Sequence, residues 1–186
     1  MNIFLNPFRA PARTGTEWFS VGVTSSFPDI SPDGDGNENE NEDVVRLCGK
    51  HGPSAAAGCK VFHVPKENPS QRTEVDFPAD DVTRDLTDEV LVFQYRGKFH
   101  AIDHQCPHSS FPLSQGIPFD IEDFGIVLSA GLTCPKHNWS FDLFSGRSDR
   151  GNYKLRVWEV ELRDIKEAQA ETKDKEVWVR RKPRIG

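Results

Sequence analysis

Two short stretches of this 186-residue chain bring soft metal ligands close together. In DHQCPHSSFPLSQG, residues 103–116, one residue separates Cys106 from His108; in LTCPKHNWSFD, two separate Cys134 from His137. Neither pair alone binds a metal tightly, but together they supply two thiolates and two imidazoles. Such a set suits tetrahedral zinc and iron–sulfur chemistry alike. Spacing favours the second. Zinc fingers group Cys with Cys and His with His, whereas each stretch here is mixed. If one iron of a two-iron cluster takes both thiolates and the other both imidazoles, two facing loops must each supply one ligand to each iron.

The surrounding elements must hold two such loops face to face. Candidate strands are residues 17–23, Lys60–Val64, Val90–Tyr95, Lys98–Asp103, Gly125–Leu128, Asn138–Phe144, Leu155–Leu162 and Glu176–Arg180. In LVFQYRGKFHAID, apolar and aromatic runs flank Arg-Gly-Lys, which predicts a hairpin. LRVWEVEL alternates imperfectly, as expected of one well-buried face and one mixed face. Only RDIKEAQAET, residues 163–172, has helical composition, and its apolar stripe is thin. The expected class is all-β with short strands, with both ligand pairs at hairpin tips.

Composition adds limits. Hydrophobic residues make up 36% of the chain, enough for one core with part of the chain outside it. The net charge of −6 is concentrated at one end: residues 1–45 hold two basic and eight acidic residues, and the remainder balances. No dense basic patch suits a nucleic acid. The terminal run VRRKPRIG reads as a solvated tail. Nothing approaches the roughly 20 apolar residues that cross a bilayer, and no secretory signal is evident, so a soluble, intracellular protein is expected, in the cytoplasm or the mitochondrial matrix. The Asn-, Gly- and acid-rich stretch SSFPDISPDGDGNENENEDVV, residues 25–45, buries too little to offset ordering entropy and reads as a disordered insertion.

The two ligand stretches resemble the signature of the Rieske [2Fe–2S] family, Cys-x-His followed by Cys-x-x-His. VLVFQYRGKFHAIDHQCPHSSFPLSQG is similar to the family's strand–turn–strand and first ligand loop, and CPKHNWSFDLFSGR to its second; the likeness covers roughly residues 60–180. The resemblance implies a Rieske-type antiparallel β-sandwich with a smaller cluster-binding subdomain built from two hairpin loops. It implies one [2Fe–2S] cluster per chain, with Cys106 and Cys134 on one iron and His108 and His137 on the other. The domain would span residues 17–182, between tails at 1–16 and 183–186, with the insertion at about 25–58 and ligand loops at 103–116 and 131–147.

Departures from the pattern refine this. Respiratory Rieske proteins carry an extra cysteine in each loop, and Phe111 and Lys136 occupy that neighbourhood here. Their Ser and Tyr, two and four residues after the second His, are replaced by Trp139 and Phe141, and Asn138 replaces a common Gly. The sequence is similar instead to the soluble ferredoxin and oxygenase branch. Its potential is expected in the lower part of the Rieske range of about −150 to +300 mV. PFDIEDFGIVLSAG, in the long interval between the loops, reads as an added hairpin or flap.

The resemblance implies a one-electron carrier in an oxidoreductase or oxygenase system, not a complete enzyme, with no catalytic residues. Its partners would be redox proteins such as a flavin reductase and a terminal oxygenase, with no nucleic acid or membrane. A cluster-bearing sensor or assembly module is the alternative, and a Cys2His2 zinc domain a more distant one. A complete oxygenase would need a further iron on two His and a carboxylate, and only His51, His63, His100 and His104 remain. Cys48, His51, Cys59 and His63 suggest either a second metal site or, more simply, incidental thiols in a flexible loop. His100 and His104 read as structural or solvent-facing.

Overall fold

A computed structural model of the chain describes residues 16–30, 47–48, 58–75, 84–165 and 173–183. Among them are eleven strands and short 3₁₀ turns, with no α-helix. The strands are β1 Phe19–Val23, β2 Asp29–Ile30, β3 Cys59–His63, β4 Thr73–Glu74, β5 Glu89–Tyr95, β6 Lys98–Asp103, β7 Ile117–Asp123, β8 Ile126–Cys134, β9 Trp139–Asp142, β10 Glu159–Asp164 and β11 Lys175–Arg180. No helix among the described residues is long and apolar enough to cross a membrane.

The organising element is β5, where every residue except Gln94 is buried. Side chains alternate across a strand, and here both faces are covered. Leu91, Phe93 and Tyr95 enter one core with Val61 and Ile102; Val90 and Val92 enter a second with Phe62, Val64 and Ala101. The sheet that β5 forms with β2, β3, β4 and β6 is therefore a middle layer. Its second core is closed by the sheet β1–β11–β10 through Phe19, Val21, Val177 and Val179. Its first core is closed by Leu132, Cys134 and Phe141 of the sheet β7–β8–β9, together with Cys106 and Leu113. Two-sided burial explains why this strand reads as a continuous apolar run.

Turn chemistry follows the sequence in two places. The β5–β6 hairpin closes through Arg96 (φ 46°) and Gly97 (φ 72°), the left-handed pair that matches strand twist. The added hairpin between the ligand stretches is β7–β8, turning at Phe124 (φ 48°) and Gly125 (φ 76°). Asp120 on β7 accepts hydrogen bonds from the Tyr95 hydroxyl at 3.1 Å and Arg96 Nε at 2.8 Å, tying the hairpin to the middle sheet. Its tip projects outward, with Phe124 98% exposed.

Several expectations need correction. The sandwich is not wholly antiparallel, because β2 runs parallel to β5 at Asp29↔Gln94 and Ile30↔Tyr95. The insertion is ordered at its edges: Phe27, Ile30 and Leu47 are buried, because their apolar side chains complete the cores. Residues 31–46 and 49–57 of it, like the tail at 1–15, lie outside the described residues. The strand expected at Leu155 begins only at Glu159, because the Leu155 amide is given to Gly146 O and Trp158 crosses to Ala101 O. Arg163 and Asp164 of the expected helix belong to β10, and residues 166–172 lie outside the described residues. The basic end is not simply solvated, since Arg181 is buried over the Trp158 ring and donates to Val64 O. Finally, Cys48 and Cys59 are neither incidental thiols nor ligands, because they form a disulfide.

Candidate metal centre

Each ligand pair sits in a turn of the same backbone shape. In the first, Ser110 N–H donates to Cys106 O at 2.9 Å and Ser110 is left-handed, φ 53°. In the second, Asn138 N–H donates to Cys134 O at 2.9 Å with φ 56°. The chain then returns alongside each cysteine: Cys106 N–H donates to Phe111 O at 2.9 Å, and Cys134 pairs with Trp139 across β8 and β9. Asn tolerates the left-handed region better than most residues, which lets Asn138 close this turn. The closing Gly146 (φ 73°) has no such latitude, because a Cβ there would be driven into the Leu155 carbonyl oxygen.

This shared shape sorts the four donors by type. Cys106 and Cys134, both about 1% exposed, meet thiol to thiol in hydrogen-bond contact. His108 and His137 meet edge to face with ring centroids 5.1 Å apart. The thiols lie in the core and the imidazoles toward the surface, His108 half-buried and His137 exposed. Among the described residues, no three His, Cys, Asp or Glu side chains converge on one point. The arrangement is two like pairs, not a single four-donor shell.

Electrostatics around the sulfurs favour negative charge. Cys106 is held well below the usual thiol range, first by the hydrogen bond with Cys134, then by Ser109 and the backbone N–H groups of His108 and Ser109, against the effect of burial. Cys134 is pushed up as the proton-holding member of that pair, with burial adding to the rise. Its sulfur lies 3.7 Å from Ser109 Oγ and near the Lys136 backbone amide. Donors to sulfur stabilise added negative charge, which makes an electron easier to accept.

The imidazole side is aromatic. His108 stacks on Trp139 at 4.4 Å, and Tyr153 meets its edge at 5.1 Å. The His108 Nδ1 atom is buried and, among the described residues, has no hydrogen-bond partner. Buried polar atoms are normally paired, so a lone pair left facing inward suits a metal bond. This donor set fits a two-iron cluster.

His104 is structural, as one of the sequence readings had it. It is 1% exposed, with Nδ1 2.7 Å from Glu89 Oε2 and Nε2 2.8 Å from Ser114 Oγ, and Arg84 pairs with Glu89. One imidazole thereby spans the base of the first ligand turn. His100 is half-buried and stacked on Phe93 at 5.4 Å. His63 is exposed on β3, Cys48 and Cys59 are joined to each other, and His51 lies outside the described residues. The second metal site has therefore lost its thiols. Sequence reasoning did not find Ser109, Tyr153 or the His104 network. Ser109 lay within a quoted motif but at no diagnostic spacing, and Tyr153 reaches His108 only through the fold.

Residues 69–159 match the family model of the Rieske [2Fe-2S] domain. The chain is 40% identical over 58 residues to a Rieske domain-containing protein of Homo sapiens, a match covering 31% of this chain and 34% of that one. It is 34% identical over 59 residues to the ferredoxin component of an alkene monooxygenase system from Xanthobacter autotrophicus, covering 32% and 42%. It is 33% identical over 64 residues to a 3-phenylpropionate/cinnamic acid dioxygenase ferredoxin subunit from Photorhabdus laumondii, covering 34% and 53%. The matches thus span from about a third to about half the length of these curated relatives.

Proposed function

We infer from the Rieske [2Fe-2S] domain at residues 69–159 that this chain is a one-electron carrier serving an oxidoreductase or oxygenase system. The observation that carries the inference is the sorting of donors, thiol against thiol in the core and imidazole against imidazole at the surface. Cys106 and Cys134 would hold one iron and His108 and His137 the other. The cluster, when bound, supplies a site that takes up and releases one electron, at a higher potential than an all-cysteine cluster.

The chain's own residues shape that exchange. Ser109 and the amides of His108, Ser109 and Lys136 point hydrogen toward the sulfurs and offset their negative charge. Trp139 and Tyr153 exclude water from two sides of His108, whereas His137 stands exposed as the contact for a partner. A terminal oxygenase as acceptor is supported by two relatives named as ferredoxin parts of oxygenase systems, and a flavin reductase is the donor proposed to feed it.

Optical and EPR spectroscopy on anaerobically purified protein tests the cluster. The expected result is a coloured protein with a low-average-g signal on reduction; a colourless protein holding zinc overturns it. Reduction by a flavin reductase and reoxidation by an oxygenase then tests the carrier role. A cluster that neither partner turns over marks a sensor or assembly module instead.

A further inference from the structure

A second pair of sulfurs lies outside the cluster site. Cys48 is bonded to Cys59 at the start of β3, eleven residues away in sequence. From Cys48 and its neighbour Leu47, two backbone bonds reach the segment just past the first ligand turn. Cys48 N–H donates to Ser114 O and Leu47 N–H to Gly116 O, each at 3.0 Å. The Ser114 hydroxyl is in turn bonded to His104, whose other nitrogen meets Glu89 on β5. Strand β5 pairs with β3 at Cys59↔Phe93 and His63↔Glu89. These links close a circuit: β3, disulfide, Cys48, Ser114, His104, β5 and back to β3. The first ligand turn is held inside it, and one link of the circuit is chemically reversible.

We propose that Cys48 and Cys59 form a reversible dithiol–disulfide site whose redox state sets how tightly the first ligand turn is held. Its effect on the cluster rests on the carrier function inferred above. The reactant is a dithiol. Cys48 is partly exposed and Cys59 buried, so a reductant thiolate attacks the Cys48 sulfur and the Cys59 thiolate leaves and takes a proton. The reductant's second thiol then attacks the mixed disulfide and releases Cys48 as a thiol. Two electrons and two protons reach the protein, and the dithiol becomes a disulfide. With the covalent link gone, Cys48 is no longer tied to β3, and its bond to Ser114 and that of Leu47 to Gly116 no longer anchor those residues to that strand.

The test uses the full chain in two forms, as purified in air and after anaerobic treatment with dithiothreitol and its removal. Alkylation and peptide mapping are expected to find Cys48 and Cys59 blocked in the first form and both labelled in the second. Hydrogen exchange at the Leu47 and Cys48 amides should speed by about tenfold on reduction, and chelator-driven bleaching of the cluster's colour should quicken with it. The double variant C48S/C59S should match the reduced form and ignore dithiothreitol. If that variant does not fold, the wild-type comparison decides alone. Free Cys48 and Cys59 in the air-purified protein, or equal exchange in both forms, overturns the proposal. The thiol map and amide exchange are read without iron. A colourless protein whose amides still respond therefore refutes the carrier and not the switch, and a coloured one whose amides do not respond refutes the switch alone.

Discussion

At the scale of single residues, the sulfur surroundings decide the potential. Where the respiratory pattern set out under the sequence has Ser and Tyr hydroxyls, this chain has Trp139 and Phe141, which pointed to a low value. The fold returns one hydroxyl from the other loop, because Ser109 Oγ sits 3.7 Å from Cys134 Sγ and also hydrogen-bonds Cys106. A donor to sulfur favours the reduced, more negative state. For one electron, each 1.4 kcal/mol of that preference is worth about 59 mV. Ser109→Ala is therefore expected to lower the midpoint by a shift on that order, read by redox titration; an unchanged or higher midpoint would show that the hydroxyl does not act on the cluster. His108→Cys should lower it much further, by adding a thiolate charge in place of a neutral imidazole, and a rise instead would remove His108 from the ligand set.

At the scale of elements, the two ligand turns are alike because each closes on a left-handed residue, Ser110 or Asn138, and a further left-handed position past the second turn, Gly146, differs from Asn138 in what it tolerates. At Asn138, φ 56° is strained for a non-glycine residue but accommodated, so Asn138→Gly should cost little. At Gly146, φ 73° combines with the Leu155 carbonyl where a side chain would go. Gly146→Ala is expected to destabilise the protein by about 2–4 kcal/mol, measured as a lower midpoint in chemical unfolding at unchanged slope; a loss comparable to that of Asn138→Gly would contradict this account. The same contrast shows what the sequence makes legible. The β5–β6 hairpin was readable because its turn chemistry and its apolar runs agree. The flap was readable from PFDIEDFGIVLSAG because it adds length between two fixed motifs. The start of β10 was not, because Leu155 is as apolar as a strand residue and only its amide bond to Gly146 O takes it out of the ladder. The edges of the acidic insertion were missed for a similar reason: composition over a window hides the single buried side chains of Phe27, Ile30 and Leu47.

Across the whole molecule, three layers share β5, and titratable groups packed against it and β6 make stability depend on pH. The four proposed ligands rest on spacing, a local signature that two mixed Cys and His pairs leave in the sequence. The polar groups packed into the layers were not legible, because nothing local marks a histidine whose ring nitrogen the fold will bury. His100 is such a group: it stacks on Phe93, near Lys98 and Asp142, and its Nε2 is buried with no partner among the described residues. Burial lowers its pKa from 6.5 to about 4, Lys98 adds to the drop and Asp142 opposes it. Above the unfolded value it is neutral in both states and contributes nothing. Between the unfolded value and about 4 the unfolded chain takes a proton that the folded chain refuses, so stability falls as pH falls through that window. Glu89 acts at lower pH. Burial raises its carboxyl, but hydrogen bonds from His104 and Arg84 outweigh this and hold it below the usual range. Its contribution is present above the unfolded carboxyl value and lost as pH falls through the depressed folded one. Between pH 7 and pH 5 the His100 effect alone should cost about 2 kcal/mol. His100→Phe keeps the stack on Phe93 and has no proton to bind, so its unfolding free energy should fall correspondingly less than the wild type's over that interval. Equal pH slopes for the two proteins in urea unfolding would show that the middle layer does not seal this imidazole from water.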